Sequence, residues 1–383
     1  MLITRLRLEN WKNFRSLDVI LEQRVFLIGP NASGKSNFLD ALRFLRDVAE
    51  QGLRRAVESR GGVSRLRCLA ARGNPDITLE VTLDNVWSYE LCFGGRKGKP
   101  PQVKREIVRT HHGETIHHTW SDILRRPDKW DAEDTERLTQ TALEQVNANK
   151  EFRDIPDFLK TIAYRHILPQ AVKDPAGFTP TPVHNDPFGR DFISQIWQTS
   201  KVKREKLLKK INAALKIAVP QLDDLKVEMN PSTGELHLKV NYKHWRPPGA
   251  IQDESSFSDG TLRLLALLWS ILEGGGPLLL EEPELSLHEE IVRQLPTLFA
   301  SLEMDDDTSR QVMISTHSRI MLLDQGIGQS EVVRLLPSEE GTTVQHPDEV
   351  ELALLRTGQL SVGEVLLPRT TPEHLEQLSL FSK

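Results

Sequence analysis

Apolar and polar residues alternate through "ITRLRLENW" and again through residues 17–21, the pattern of two half-buried strands. "RVFLIG" replaces the alternation with a continuous apolar run, which predicts a buried third strand. Behind it the period lengthens. Phe38, Leu39, Leu42 and Leu45 recur at helical spacing and predict a helix over residues 35–51. Period two returns in "DITLEVTLD", "SYELCFGG", "QVKREIVRT" and "ETIHHTW", an antiparallel sheet joined by turns containing Gly and His. A more polar helical segment is predicted for residues 131–160. The prolines and glycines of "ILPQAVKDPAGFTPTPVHNDPFG" predict irregular chain. Helices follow over residues 190–218, then strands at "LKVEMN" and "ELHLKVNY", then a helix over residues 258–272. "PLLLE" and "RQVMIST" read as buried strands flanking one more helix. The order is an α/β core interrupted by a mixed insertion.

Composition adds limits. With 383 residues, 38% of them hydrophobic and 27% charged, the chain can bury a substantial core. Its longest apolar run, "LLALLWSIL", is far short of the ~20 residues that span a bilayer, so no membrane partner is expected. The N-terminal stretch alternates instead of forming an apolar signal region, and the expected location is cytoplasmic. Cys68 and Cys92 are too few for a disulfide framework or a Cys-based zinc site. A net charge of −5 gives no global attraction for nucleic acid, which leaves local patches. Two stretches qualify, each readable as a solvated helix face or as a polyanion contact. One carries Arg54, Arg55, Arg60, Arg65, Arg67 and Arg72; the other is "KVKREKLLKK". The histidines of "HHGETIHH" read as an exposed turn, because alternation splits each adjacent pair across two faces.

The strongest chemical signal is "IGPNASGKSN". Gly29 to Ser36 fits G-x-x-x-x-G-K-[ST] between a predicted strand and a predicted helix, the context a phosphate-binding loop requires. Gly29 and Gly34 let the backbone fold around phosphate oxygens, Lys35 is expected to reach the β- and γ-phosphates, and Ser36 to ligate Mg²⁺. The strand "LLLEE" then delivers Glu281 and Glu282 together. One carboxylate can face a metal and the other an attacking water. Alternatively Pro283 opens a helix whose N-terminus stabilises Glu282 and Glu284, but that does not account for the buried strand before them.

With "FSDGT" before an apolar helix, "MISTHS" at a strand end and "LRLENWKNFRSL" at the start, the chain resembles the RecF, SMC and Rad50 class of ABC ATPases. It is most similar to stand-alone AAA-type ATP-binding proteins of bacterial anti-phage defence that lack a coiled-coil arm. The resemblance implies an α/β P-loop ABC-ATPase head, with a mixed-sheet lobe I and a helical lobe II carrying the signature motif. Its divisions would be residues 1–170 (lobe I), 171–272 (lobe II), 273–335 (the return to lobe I) and 336–383 (a C-terminal docking segment).

The same resemblance assigns roles. ATP would be held by Gly29, Pro30, Asn31, Ala32, Ser33, Gly34, Lys35, Ser36 and Asn37, approached by Lys12 and Asn13. Mg²⁺ would be held by Ser36 and Glu281, with Gln170 as the linking glutamine. Glu282 would be the base and His317 the γ-phosphate switch. Ser258, Asp259 and Gly260 would reach ATP bound to a second copy, giving an ATP-dependent head-to-tail homodimer whose interface includes residues 284–288. Glu281 stands where many relatives have aspartate. Neither a coiled-coil arm nor a fused nuclease domain is expected, so an effector such as a nuclease is expected to be separately encoded, with DNA contacted through residues 54–72. Three functions fit: an ATPase controlling that effector, a RecF-like DNA-repair clamp, or a slowly hydrolysing nucleotide-dependent scaffold.

Overall fold

The alternation of "ITRLRLENW" becomes strand β1 (Ile3–Trp11), whose Ile3, Leu6, Leu8 and Trp11 turn inward while Arg5, Arg7 and Glu9 face out. The computed structural model describes residues 1–72, 75–95, 98–120, 136–178, 186–243, 249–304 and 309–370. β2 (Phe14–Ile20) pairs antiparallel with β1, placing Leu8 opposite Leu17. β3 (Arg24–Ile28) is buried throughout and leads to helix α1 (Lys35–Gln51), followed by short helices α2 (Leu53–Glu58) and α3 (Val63–Leu66). Strands β4 (Ile77–Leu83), β5 (Trp87–Gly94), β6 (Gln102–Thr110) and β7 (Thr115–Trp120) complete an antiparallel sheet of order β2-β1-β4-β5-β6-β7.

β8 (Ala163–Arg165) belongs to a second sheet, and β9 (Leu222–Met229), β10 (Leu236–Tyr242) and β11 (Ala250–Asp253) form a small third one. β12 (Leu278–Glu281), β13 (Val312–Ser315), β14 (Val332–Ser338) and β15 (Gly341–Val344) join the second sheet, whose order is β15-β14-β3-β13-β12-β8. All its pairings are parallel except β14 with β15.

The second sheet is covered on both faces, so alternate side chains of one strand feed two cores. Val25, Leu27, Leu279 and Met313 pack with α1 and the antiparallel sheet. Phe26, Ile28, Leu278, Leu280, Val312 and Ile314 pack with the helices Asp259–Leu272 and Glu289–Met304 on the other side. A further core gathers the helices Phe192–Gln198 and Lys201–Ala218 against β9 and β10.

Three expectations change. The stretch predicted as irregular contains helices Pro169–Lys173 and Pro175–Phe178, each opened by a proline, whose missing N–H is an orphan at that position in any helix. Residues 179–185 lie outside the described residues. The helix expected over residues 131–160 is confined, within its described part, to two 3-10 turns and the helix Asp154–Lys160. Side chains compete for its backbone: Glu106 accepts from the amides of Ala142 and Leu143, and Glu144 from that of Thr141. Residues 131–135 are outside the described residues.

The segment beginning at residue 336 is not a free docking arm, because β14 runs across that boundary. The helix Val362–Leu366 puts Val362, Val365 and Leu366 into the core, and Arg334 is buried against Glu351, 2.8 Å from Oε1 and from Oε2. Residues 371–383 lie outside the described residues.

Candidate active site

The loop between β3 and α1 is shaped by close approach. At Gly29, with φ of +155°, a Cβ would stand 2.2 Å from the Leu335 carbonyl oxygen; at Gly34, with φ of +93°, it would stand 2.1 Å from Asn13 Nδ2. Ala32 takes φ of +62°, a left-handed conformation that disfavours any residue with a Cβ. Pro30, Asn31, Ala32 and Ser36 lie at the mouth, and Ser33 is buried with its hydroxyl unpartnered. The buried Lys35 ammonium donates to the carbonyls of Gly29 (3.0 Å) and Pro30 (3.1 Å). Burial pushes it down to about 8, against the opposing pull of Glu282, Glu281 and Glu284.

β12 ends beside this loop because β13 lies between β12 and β3, in register Glu281 to Ser315 to Leu27. The Ser36 hydroxyl donates to Glu281 Oε1 at 2.5 Å. The Tyr164 hydroxyl on β8 donates to the other carboxylate oxygen, and His166 Nδ1 donates to the Glu281 carbonyl at 3.2 Å. Glu282 turns away with φ of +45°, its amide donating to the Ser315 carbonyl at 3.0 Å. That turn brings its carboxylate 3.5 Å from His317 Nε2. Burial and the nearby Lys35 charge lower the His317 pKa, with Glu282 opposing them, which favours the neutral ring.

Glu284 faces inward. It accepts from Thr316 Oγ1 at 2.6 Å and from the His317 amide at 3.2 Å, and burial raises its pKa. It therefore braces the strand end that carries His317; Leu285, Ser286 and His288 beyond it are exposed.

The signature residues stand at the start of the helix Asp259–Leu272. Ser258 caps it by accepting from the Thr261 amide at 3.1 Å, and Gly260 packs where a Cβ would lie 2.6 Å from the Ser286 carbonyl oxygen. Asp259 is bound within its own chain by Lys173 (2.9 Å) and Gln170 (3.0 Å). Gln170, expected as the linking glutamine, donates its amide to Asp259, and the groups that grip Glu281 are Ser36 and Tyr164.

Asn13 is a hub, donating to the Ser33 carbonyl (3.2 Å) and to Thr342 Oγ1 (2.6 Å) and accepting from Asn37 Nδ2 (2.8 Å). The β14–β15 hairpin is thereby tied to the phosphate loop. Lys12 pairs with Asp40 at 2.6 Å.

The arginine-rich stretch needs correction. Arg60 is no surface contact: its side chain is 10% exposed and is paired with Asp40 (2.9 Å) and Asp47 (2.8 Å). Against the effect of burial, Arg60 and Lys12 hold Asp40 down at about 2. Arg54 pairs with Glu58 at 2.9 Å. Arg65, Arg67 and Arg72 line a cavity of about 1080 Å³ beside Lys12, Asn13 and Asn37, and the carboxylate-paired Arg60 lies in its wall. Among the described residues no group of three or more His, Cys, Asp or Glu is placed to hold a metal ion. No described helix is long and apolar enough to cross a membrane.

One hydroxyl and one carboxylate beside a phosphate cradle is an all-oxygen donor set. It fits Mg²⁺, which keeps several waters and binds through one or two carboxylates together with substrate phosphates. Tyr164 and His166 were missed by sequence reasoning, and Glu284 was expected only at the dimer interface, not bound to Thr316 and the His317 amide. Tyr164 sits in the three-residue strand "AYR", too short to carry a periodic signal.

A family profile described as "AAA domain, putative AbiEii toxin, Type IV TA system" matches residues 24–324. The DNA replication and repair protein RecF of Roseiflexus castenholzii is 33% identical over 122 residues, covering 28% of this chain and 31% of that protein. The chain thus aligns with under a third of that relative's length. Among solved structures, an SMC head bound to the C-winged helix domain of ScpA is similar at a TM-score of 0.48 and 14% identity, covering 92% of this chain and 100% of that one. The SMC head domain from Thermotoga maritima is similar at a TM-score of 0.42 and 13% identity, covering 91% of this chain and 100% of that one.

Proposed function

The chain belongs to this AAA-domain family, as an ABC-type ATPase of the RecF and SMC class, and from that premise we propose that it binds ATP with Mg²⁺ and hydrolyses it. Residues 29–37 hold the triphosphate, with Lys35 countering the β- and γ-phosphate charge. Ser36 and Glu281 hold Mg²⁺, which supplies charge neutralisation at the phosphate oxygens when bound. Glu282 accepts the proton of the attacking water, and neutral His317 beside it is free to donate to the γ-phosphate.

One observation carries the reading. The Ser36 hydroxyl meets Glu281 Oε1 at 2.5 Å across 245 positions of sequence, so the end of the phosphate loop and the acidic strand end form one site.

ATP joins two copies head to tail through Ser258, Asp259 and Gly260, and the dimer controls a separately encoded effector, in anti-phage defence or a related nucleic-acid response. Arg65, Arg67 and Arg72 are the DNA contacts in this reading. The RecF alignment favours a second reading, a DNA-repair clamp without an effector. DNA stimulation of turnover with the purified protein alone supports the clamp; dependence on a neighbouring gene product supports effector control.

The test is phosphate release and sizing chromatography with ATP. Glu282→Gln is expected to lower turnover by about 10²-fold or more while retaining ATP and accumulating as a dimer. Normal turnover in that variant removes Glu282 as the base, and a protein that remains monomeric with bound ATP removes the dimer.

A further inference from the structure

The Glu281 carboxylate is held from two sides. Ser36 takes Oε1 at 2.5 Å, and the hydroxyl of Tyr164 takes Oε2. Tyr164 itself has little freedom. It is 8% exposed, its strand is in register with β12 so that it lies opposite Leu279, and the Arg43 guanidinium carbon sits 5.2 Å from its ring centroid. The next turn of chain contributes as well, since His166 Nδ1 fixes the Glu281 carbonyl at 3.2 Å.

A glutamate at this position has one more rotatable bond than an aspartate. Fixing its carboxylate therefore costs more side-chain entropy, and its reach is one methylene longer. A rigid donor at the far oxygen offsets that cost before any metal arrives. We infer that Tyr164 is a positioning residue for the metal site, a phenol matched to the length of Glu281 that pre-orients its carboxylate toward Ser36. The inference rests on the reading of Glu281 as the metal-side carboxylate.

The pairing makes a prediction that a packing role does not. Tyr164→Phe keeps the ring, its burial and the Arg43 contact and removes only the donated hydrogen bond. Glu281→Asp retracts the carboxylate from the phenol, so the tyrosine should then have nothing left to hold.

The experiment titrates Mg²⁺ against a fluorescent ATP analogue in the full chain, and separately measures analogue binding with EDTA. Tyr164→Phe is expected to raise the Mg²⁺ needed for half-maximal binding about tenfold, the size of effect that outer-shell partners of metal ligands show, and to leave binding in EDTA unchanged. In a Glu281→Asp background the same substitution is expected to change the Mg²⁺ requirement by less than about twofold, the signature of a coupled pair in a double-mutant cycle.

Equal losses with and without Mg²⁺ would reduce Tyr164 to packing and overturn the inference, as would an undiminished effect in the aspartate background. Glu281→Gln separates the two levels. If it leaves the Mg²⁺ requirement unchanged, the metal reading of Glu281 fails; if it abolishes the Mg²⁺ response while Tyr164→Phe does not shift it, only the role of Tyr164 fails.

Discussion

Lys35 and Arg60 are both buried cations on the flank of the same helix, but their partners are of different kinds. Lys35 donates to two carbonyls of its own loop, five and six residues earlier, and these are weak acceptors that a phosphate can replace. Arg60 donates to the carboxylates of Asp40 and Asp47, which fully neutralise it and tie the loop after α2 to α1. A cation lodged against carbonyls remains available to an anion. One lodged between carboxylates has become part of the scaffold. The arginine-rich stretch therefore divides: Arg60 is neutralised within the scaffold, Arg54 and Arg72 make exposed ion pairs with Glu58 and Glu340, and Arg65 and Arg67 line the cavity.

The largest effect that would break this comparison is at Lys35. Lys35→Ala is expected to weaken ATP binding by about 10²-fold or more, since it removes a charge-assisted contact to a highly charged ligand, while leaving the melting temperature near that of the parent. Calorimetric titration together with thermal melting checks both halves. A large loss of stability with intact binding would make Lys35 the structural cation.

Arg60→Ala should behave in the opposite way. Removing one partner of a buried charge network leaves Asp47 and Asp40 with fewer counter-charges, and a loss of about 3 kcal/mol of stability is expected. Arg65→Ala, at an exposed position, is expected to stay within about 0.5 kcal/mol. Denaturant titration of both variants decides, and equal effects would erase the distinction between the two classes of arginine.

The pH dependence sharpens the contrast further. The Lys35 ammonium titrates near 8 in the nucleotide-free protein, so above that pH ATP binding must take up a proton, and affinity should fall by up to about tenfold per unit. Stability of the nucleotide-free protein should move the other way. Because the folded value lies below the ordinary 10.5, the unfolded chain binds more protons between about 8 and 10.5, and Lys35 makes folding more favourable as pH rises through that window. Affinity measurements and melts at matched pH values test the two signs. ATP affinity that stays flat above pH 8 would remove the ammonium from the binding step.

A small effect is expected at Ala32. Relief of a left-handed φ of +62° is worth about 1 kcal/mol, partly offset by the greater chain entropy of glycine, so Ala32→Gly should raise stability slightly and Ala32→Val should lower it. A melt of each variant is sufficient.

Contiguous signals were legible in the sequence and dispersed ones were not. The helix Lys35–Gln51, the helix Asp259–Leu272, and the strands before and after the two glutamates follow from periodicity that acts over a few residues. The phosphate loop is legible for the same reason, because its geometry is a property of consecutive backbone units. Tyr164 and Glu284 carry no such signal. Glu284 is an ordinary acid in an acidic stretch until β13 brings Thr316 and the His317 amide against it.

The sequence by itself determined the local elements, the phosphate loop and the pair of carboxylates, because hydrogen-bond periodicity and steric limits on φ act between near neighbours. The tertiary structure alone decided which cations are neutralised and which carboxylate is gripped. Sheet order sets those partnerships, and it joins residues such as Ser36 and Glu281, or Asn13 and Thr342, across hundreds of positions where no local preference operates.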